Sequence, residues 1–198
     1  SHRRMGVRHI VRRSGGFDPD EVRALWAGLG PTSMVMAPTR LRRRADAAKA
    51  RGARGHGDKT IVYGGGPMYR ADIEEAVAWF GPRFVQIYGQ GECPMAITAL
   101  SRADIADRSH ARWQQRLASV GRAQSAVTLA IVDDRGQPLA PGQTGEIMVR
   151  GTPVMPGYWN NPDASAAALH DGWLKTGDLG HLDDDGYLTL VDRSKDVI

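Results

Sequence analysis

The sequence predicts an α/β fold in which part of a parallel sheet is layered with helices and is followed by a small antiparallel β-barrel subdomain. Strand-like and helix-like segments alternate up to about residue 90, which is typical of parallel sheets covered by helices. After about residue 121, apolar and polar residues alternate and turn signals recur, as in short antiparallel strands. The 198 residues are 41% hydrophobic and 24% charged, a composition that can bury a core.

The first third of the chain is predicted to form a helix, a strand and a second helix. In FDPDEVRALWAGLGP, Asp18 can cap a helix, Pro19 suits its first turn, and apolar residues recur at helical spacing. SMVMAP then predicts a short buried strand, and TRLRRRADAAKA predicts a helix.

The next segments repeat this alternation and place two glycine-containing loops at strand ends. KTIVYGGGPM, ADIEEAVAWFG and RFVQIYGQGE predict a strand, a helix and a strand. In open parallel sheets, ligands bind beyond the carboxyl ends of the strands, which is where GGGPM and YGQGE fall. A further helix is predicted around ARWQQRLASVG.

The second half of the chain has the pattern of antiparallel strands. AVTLAIVDDRGQPLAPGQTGEIMVRG carries turn signals at Asp134-Arg135-Gly136 and Pro141-Gly142. LDDDGY lies between two strand-like runs and lacks the remaining ligands of a calcium loop, so it predicts a hairpin turn. We therefore predict an α/β part at residues 1–120 and a β-barrel part at residues 121–191.

Positive charge is concentrated near the start of the chain. Residues 1–60 hold 14 Lys and Arg against 5 Asp and Glu, whereas residues 61–198 hold 12 against 17. Because no interleaved aromatic residues or nucleic-acid motif accompany the basic run, a solvated helix face is favoured over nucleic-acid binding. There is no apolar run long enough to span a bilayer and no secretory signal, which predicts a cytosolic protein.

Several motifs that suggest chemistry have simpler interpretations. GARGHGDKT resembles a phosphate-binding loop, but its lysine comes one position late and a strand follows instead of a helix. The histidines do not occur at metal-binding spacings. Cys93, the single cysteine, cannot form an internal disulfide and has no evident basic partner, so a buried or idle thiol is favoured over a nucleophile.

GGGPM and YGQGE are the stronger candidates for a binding site. Consecutive glycines would let a flat ligand approach the backbone, although the same residues are equally consistent with a turn. Tyr88 offers an aromatic face and Glu92 a carboxylate suited to Mg²⁺, but a strand end followed by a surface acid explains them too. Considered without the other motifs, Asp178 in GWLKTGD is also consistent with an ordinary turn.

Four strings in order resemble the signatures of the adenylate-forming enzymes. They are YGGGPM, QIYGQGE, GEIMVRGTPVMPGYWNNPDAS through GWLKTGDLG, and GYLTLVDRSKDVI. This superfamily includes acyl-CoA synthetases, firefly-type luciferases and the adenylation domains of nonribosomal peptide synthetases. The resemblance extends from the helix at Asp18 to the last residue.

The resemblance implies a role for each motif. Tyr88 would stack on adenine, Asp178 would accept both ribose hydroxyls, and Glu92 would hold Mg²⁺ beside the ATP phosphates. Arg193 would reach the ribose or a phosphate. The nucleotide would also contact the backbone of two loops, formed by Gly64, Gly65, Gly66 and Pro67, and by Gly89, Gln90 and Gly91.

One residue of this chain departs from the usual family pattern, and another matches the boundary of the family's C-terminal domain. The family usually has Thr or Ser where this chain has Gly91, and the amide of Gln90 is a candidate replacement for that hydroxyl. Lys195 matches the pivot of a mobile C-terminal domain, so residues 192–198 are expected to form a hinge. The family's phosphate loop and its catalytic lysine, which the C-terminal domain supplies, have no match in these 198 residues, so we expect no catalytic residue here and no activity from the chain alone.

The resemblance implies a carboxylic acid, ATP and CoA as substrates and Mg²⁺ as cofactor. A fatty-acid–CoA ligase is favoured, because the compact spacing and the DRSKD hinge are more similar to CoA ligases than to peptide synthetases. Residues around Met36 and 64–68 would form the acyl pocket, although they are equally good core residues. The alternatives are an acyl-AMP ligase, a peptide-synthetase adenylation domain, and a noncatalytic module that binds nucleotide or nucleic acid.

Overall fold

The computed structural model describes residue 10 and residues 16–29, 32–52 and 58–193. These residues form two five-stranded sheets with helices packed mainly on the first. The elements are α1 (Pro19–Leu29), β1 (Thr32–Met36), α2 (Pro38–Ala50), β2 (Asp58–Gly64), α3 (Arg70–Phe80), β3 (Phe84–Gln90), β4 (Cys93–Leu100), α4 (Arg102–Ala106), α5 (Trp113–Ala118), β5 (Arg122–Ala123), β6 (Val127–Val132), β7 (Gly145–Gly151), α6 (Pro162–Ala168), β8 (Leu169–His170), β9 (Trp173–Leu182) and β10 (Leu188–Arg193).

The first sheet is parallel where the sequence predicts it and antiparallel beyond. Its order is β1-β2-β3-β4-β5; β1, β2 and β3 run parallel, while β4 and β5 add antiparallel strands. The predicted strands and helices up to residue 90 are present, but β1 is not buried as predicted: it is an edge strand, and Val35 is 54% exposed. Strand β4 was not predicted from CPMAITAL, because its buried positions do not alternate strictly and its pairing with β3 is irregular.

The first two helices begin and pack as their sequences indicate. The carboxylate of Asp18 accepts a hydrogen bond from the amide of Asp20 at 2.8 Å, which satisfies a free donor at the start of α1. Basic side chains at the end of α2 pair with acids of α1 and α3: Lys49 with Glu75, and Arg51, the residue just after the helix, with Asp20. These surface pairs contribute little stability each, but they give part of the basic run a structural role.

Two apolar cores lie between the layers. One packs α2, α3 and α5 against the first sheet; its fully buried members include Leu41, Ile61, Tyr63, Ile73 and Phe84. The other packs β4 against the second sheet and contains Cys93, Ile97, Ile147, Val149, Leu174 and Leu188.

The second sheet is antiparallel, as predicted, and is curled into a half-barrel. Its order is β10-β9-β7-β6, with β8 paired to β9. The predicted turns are present: Gly136 N donates to Asp133 O at 2.9 Å, and within LDDDGY Tyr187 N donates to Oδ1 of Asp183 at 2.8 Å.

Polar contacts join α4 and α5, which lie between β4 and β5, to the β9–β10 turn. The phenol of Tyr187 donates to Oδ1 of Asp104 at 2.6 Å, and Arg112 and Arg116 both contact Asp185. The predicted boundary near Gly121 falls just before β5, and the division of the chain into two parts stays a prediction. Within the described residues, no helix is long and apolar enough to cross a membrane.

Candidate nucleotide-binding site

Tyr88 and Asp178 meet where the two sheets adjoin. Tyr88 lies near the carboxyl end of β3 and Asp178 lies on β9. The Tyr88 hydroxyl donates to Oδ2 of Asp178 at 2.5 Å, and the two residues are 9% and 6% exposed. The two predicted nucleoside contacts therefore share one location.

Gln90 also contacts Asp178, which sequence reasoning missed. Its Nε2 donates to Oδ2 of Asp178 at 2.7 Å and to the carbonyl of Thr176 at 2.9 Å. Strand alternation indicates that Gln90 and Tyr88, two apart on β3, face the same side, but it does not indicate which residue of another strand lies opposite them. In this arrangement the side-chain amide of Gln90 orients the Asp178 carboxylate. The suggested role of this amide at a phosphate, as a replacement for the Thr or Ser hydroxyl that the family usually has at position 91, stays a prediction.

An irregularity in β9 directs Asp178 toward this location. The pairing of β9 with β7 shifts register between Glu146 and Met148, and Gly177 opposite this shift adopts a φ of 69°, a left-handed conformation that glycine readily allows. Thr176 Oγ1 donates to the carbonyl of Ile147 at 2.8 Å and accepts from the amide of Asp178 at 3.1 Å. Bulges of this kind redirect a side chain out of regular alternation.

The three glycines after β2 do not have the same role. Gly64 lies beside Ile87 in parallel register, and a Cβ at Gly64 would come within 2.3 Å of the Ile87 carbonyl oxygen, so close strand packing explains this glycine. Gly65 has a φ of 75° and open space where a Cβ would be. Gly66 is similarly open, with Pro38 3.8 Å from the Cβ position, and Pro67 is exposed. The open backbone that a flat ligand needs is present at Gly65 and Gly66.

Glu92 follows β3 and is hydrogen-bonded to a loop of the second half of the chain. The hydroxyl of Tyr158 donates to its Oε1 at 2.5 Å, and this bond is the main reason that the pKa of Tyr158 is raised. The backbone amide of Met155 donates to the Glu92 carbonyl at 2.8 Å. Sequence reasoning identified Glu92 but missed Tyr158.

The donor set fits a nucleotide-bound Mg²⁺ rather than a metal held by protein alone. Within residues 16–29, 32–52 and 58–193, there is no cluster of three or more His, Cys, Asp or Glu side chains that could hold a metal. Mg²⁺ usually keeps several waters and binds one or two carboxylates together with substrate phosphates. Glu92 is suited to be such a carboxylate.

The outcomes for the remaining candidate residues differ from one residue to the next. Cys93 is fully buried and burial raises its pKa, which agrees with an idle thiol. The backbone of Arg193 lies opposite Asp178 in the β9–β10 register. Lys195 and the hinge beyond residue 193 lie outside the described residues. Met36, 4% exposed in the first core, is better explained by packing than by acyl binding.

A separate cavity of about 990 Å³ lies beside the second sheet. Arg135, Trp173, Lys175 and Leu179 are among its lining residues, and none of the predicted nucleotide contacts lines it. The lining residues therefore distinguish this cavity from the Tyr88–Asp178 location.

Solved structures with similar folds define the class of protein. O-Succinylbenzoate coenzyme A synthetase from Bacillus subtilis, solved in complex with AMP, superposes with a TM-score of 0.79 at 32% identity, over 92% of this chain and 35% of that one. The same synthetase has been solved with ATP and a magnesium ion. The fold is thus that of the adenylate-forming enzymes.

Sequence comparisons agree with this class. A medium/long-chain-fatty-acid–CoA ligase of Mycobacterium tuberculosis is 37% identical over 182 residues, which are 92% of this chain and 31% of the relative. A feruloyl-CoA synthase of an Amycolatopsis species is 34% identical over 92% of this chain and 35% of its own length. The model of the AMP-binding enzyme family matches residues 4–159, and the chain belongs to this family. It spans about a third of the length of these relatives.

Proposed function

We propose that this chain forms the adenylate-binding part of an ATP-dependent acid–CoA ligase, with a fatty acid as the acid. One observation carries the proposal: Tyr88 and Asp178, distant in sequence, lie in hydrogen-bond contact at the strand ends. In a member of the AMP-binding family, an aromatic ring beside a two-oxygen acceptor supports a nucleoside site at this contact. Activity, substrates and partners of the whole protein are part of this proposal.

The nucleoside would be bound by stacking and by a held carboxylate. Gly65 and Gly66 leave the backbone uncovered, so an adenine ring can approach between them and the Tyr88 ring. The Asp178 carboxylate accepts bonds from Tyr88 and Gln90 on Oδ2, which fixes its orientation before ligand arrives. A preoriented carboxylate binds two adjacent hydroxyls at a lower entropic cost. Arg193, opposite Asp178 in register, would add a cation near the ribose or a phosphate.

The phosphates would extend past the end of β3. Gly91 has open space at its Cβ position, so phosphate oxygens can approach the backbone there. Glu92 would hold Mg²⁺, which when bound neutralises phosphate charge. The protein's contribution is positioning and electrostatic stabilisation, which account for most of the catalysis of phosphoryl transfer.

The proposed reaction has two steps. A carboxylate oxygen of the acid attacks the α-phosphorus of ATP, the bond to the bridging oxygen breaks, and pyrophosphate leaves with an acyl-adenylate remaining. The thiol of CoA then attacks the acyl carbon, its proton is lost to solvent, and AMP leaves. In both steps the described residues would keep the adenosine end in place while bonds change at the other end.

A fatty acid is favoured by the fatty-acid–CoA ligase of Mycobacterium tuberculosis, which matches this chain over 92% of its length. The feruloyl-CoA synthase shows that aromatic acids are used by relatives of comparable identity. A panel of fatty and aromatic acids in a pyrophosphate-exchange assay, using a protein that contains this chain and the remainder of the family's length, discriminates between these classes. Exchange that depends on medium or long fatty acids supports the proposal, and exchange with aromatic acids alone contradicts it.

Nucleotide binding is tested on the chain itself. Calorimetric titration with AMP should give a dissociation constant that increases strongly in Asp178→Asn, because an amide replaces one of the two acceptor oxygens by a donor. Equal affinity in the two proteins would contradict the assignment of Asp178 to the ribose.

A further inference from the structure

We infer that Tyr158 is a positioning residue for the divalent cation, acting through Glu92. This inference rests on the proposed function, because it concerns the phosphate end of the same site. Its basis is the hydrogen bond from the Tyr158 hydroxyl to Oε1 of Glu92 at 2.5 Å. Tyr158 precedes α6 and is separated from Glu92 by 66 residues, so the contact is a tertiary one.

The backbone around Tyr158 is held by a linked series of hydrogen bonds to the start of α6. Its amide donates to Oγ of Ser165 at 2.8 Å, and that hydroxyl donates to the carbonyl of Asn161 at 2.7 Å. Oδ1 of Asn161 in turn accepts from the amide of Ala164 at 3.1 Å and caps α6. A Cβ at Gly157 would lie only 3.0 Å from Ser165 Oγ. The first turn of α6 therefore holds the backbone from which the Tyr158 side chain extends.

The same loop also holds the backbone of Glu92. Met155 N donates to the Glu92 carbonyl at 2.8 Å, so residues 155–158 contact Glu92 at both its main chain and its side chain. A carboxylate that follows a strand end on an exposed loop otherwise samples several rotamers. With Oε1 bonded to Tyr158, the carboxylate is restricted in rotation and Oε2 is directed to a defined position for a cation.

The arrangement is chemically suited to this role. A phenol donates one hydrogen bond and neutralises no charge, so Glu92 keeps the negative charge that attracts Mg²⁺. Partners that orient metal-binding carboxylates in this way commonly affect metal affinity tenfold or more. Tyr158 is 40% exposed and belongs to neither apolar core, so its hydroxyl can be removed without opening a core cavity.

The experiment measures metal and nucleotide binding separately in Tyr158→Phe. AMP is titrated without metal, and Mn²⁺, as a paramagnetic substitute for Mg²⁺, is titrated in the presence of ATP and followed by water-proton relaxation. We expect an unchanged AMP dissociation constant and Mn²⁺ binding weakened by about tenfold. Tyr187→Phe is the matched control, since it also removes a phenol–carboxylate bond, to Asp104, away from the site; it should change neither titration.

A double-mutant cycle separates positioning from a general structural effect. If Tyr158 acts through Glu92, then Tyr158→Phe has no further effect on Mn²⁺ binding in a Glu92→Gln protein, whereas independent effects would add. Unchanged Mn²⁺ affinity in Tyr158→Phe, an equal loss of AMP affinity, or additivity with Glu92→Gln would each overturn the inference while leaving the proposed function standing. Failure of the unsubstituted chain to bind AMP would overturn both.

Discussion

The hydroxyl of Tyr88 donates a 2.5 Å hydrogen bond to Oδ2 of Asp178, although 90 residues separate the two in sequence. The contact joins the carboxyl end of β3 in the first sheet to β9 in the second. Tyr88 therefore has two separable properties, a ring that can stack on a base and a hydroxyl that holds the carboxylate.

Tyr88→Phe should separate these properties. The ring is kept, but Asp178 loses one of its donors, and hydrogen bonds to charged groups contribute about 1.5–3 kcal/mol. We expect AMP affinity to fall about tenfold, equivalent to ~1.4 kcal/mol, in a calorimetric titration. Tyr187→Phe is the control for general loss of a phenol–carboxylate bond. Full AMP affinity in Tyr88→Phe would show that the hydroxyl has no part in binding.

Gly66→Ala should weaken nucleotide binding without destabilising the protein. The nearest atom to a Cβ at this position is in Pro38 at 3.8 Å, and Gly66 does not have a positive φ, so an alanine fits the free protein. Its methyl group would occupy space proposed for the base. Denaturation midpoints should match the unsubstituted chain while AMP affinity falls severalfold. Gly28→Ala, also in open space but on α1, is the matched control, and an equal effect of both would argue against the base position.

Gly64→Ala should instead destabilise the first sheet. A Cβ would lie 2.3 Å from the carbonyl oxygen of Ile87, so β2 and β3 would have to separate near their ends. Overpacking of this kind costs about 1–3 kcal/mol. Urea denaturation should show a lower midpoint than for Gly66→Ala, and equal midpoints would contradict the distinction drawn between the two glycines.

Acid should weaken the link between α4 and the β9–β10 turn. Burial alone would raise the pKa of Asp104, but hydrogen bonds from Ser101 and Tyr187 outweigh it and lower the pKa below the usual 3.8. Because the folded-state pKa is the lower one, this stabilisation is present above about pH 3.8 and is lost as the pH falls through the folded value. Tyr187→Phe should flatten the acid side of a plot of unfolding free energy against pH. An unchanged acid limb would show that the bond contributes nothing.

Much of the fold follows from local pattern, and the exceptions have identifiable causes. The alternation of β1, α2, β2, α3 and β3 is predictable because each element carries its own periodicity. Strand β4 escapes prediction because it is buried irregularly next to the turn after Gln90. Its pairing depends on contacts with β3 and β5 rather than on its own sequence pattern.

The candidate site was predictable in its residues but not in its contacts. The motifs identify Tyr88, Glu92 and Asp178, yet their spacing contains no information on the bonds from Gln90 to Asp178 or from Tyr158 to Glu92. Both bonds connect a strand end of the first sheet to the second half of the chain. Such contacts depend on how the two sheets pack, which no local pattern encodes.

A crystal structure of the chain with AMP would show directly whether the nucleoside binds between Tyr88 and Asp178. We expect the adenine against the Tyr88 ring near Gly65 and Gly66, with both ribose hydroxyls within hydrogen-bond distance of the Asp178 carboxylate. AMP bound elsewhere, for example in the cavity lined by Trp173 and Lys175, with Asp178 contacting only protein groups, would contradict this expectation.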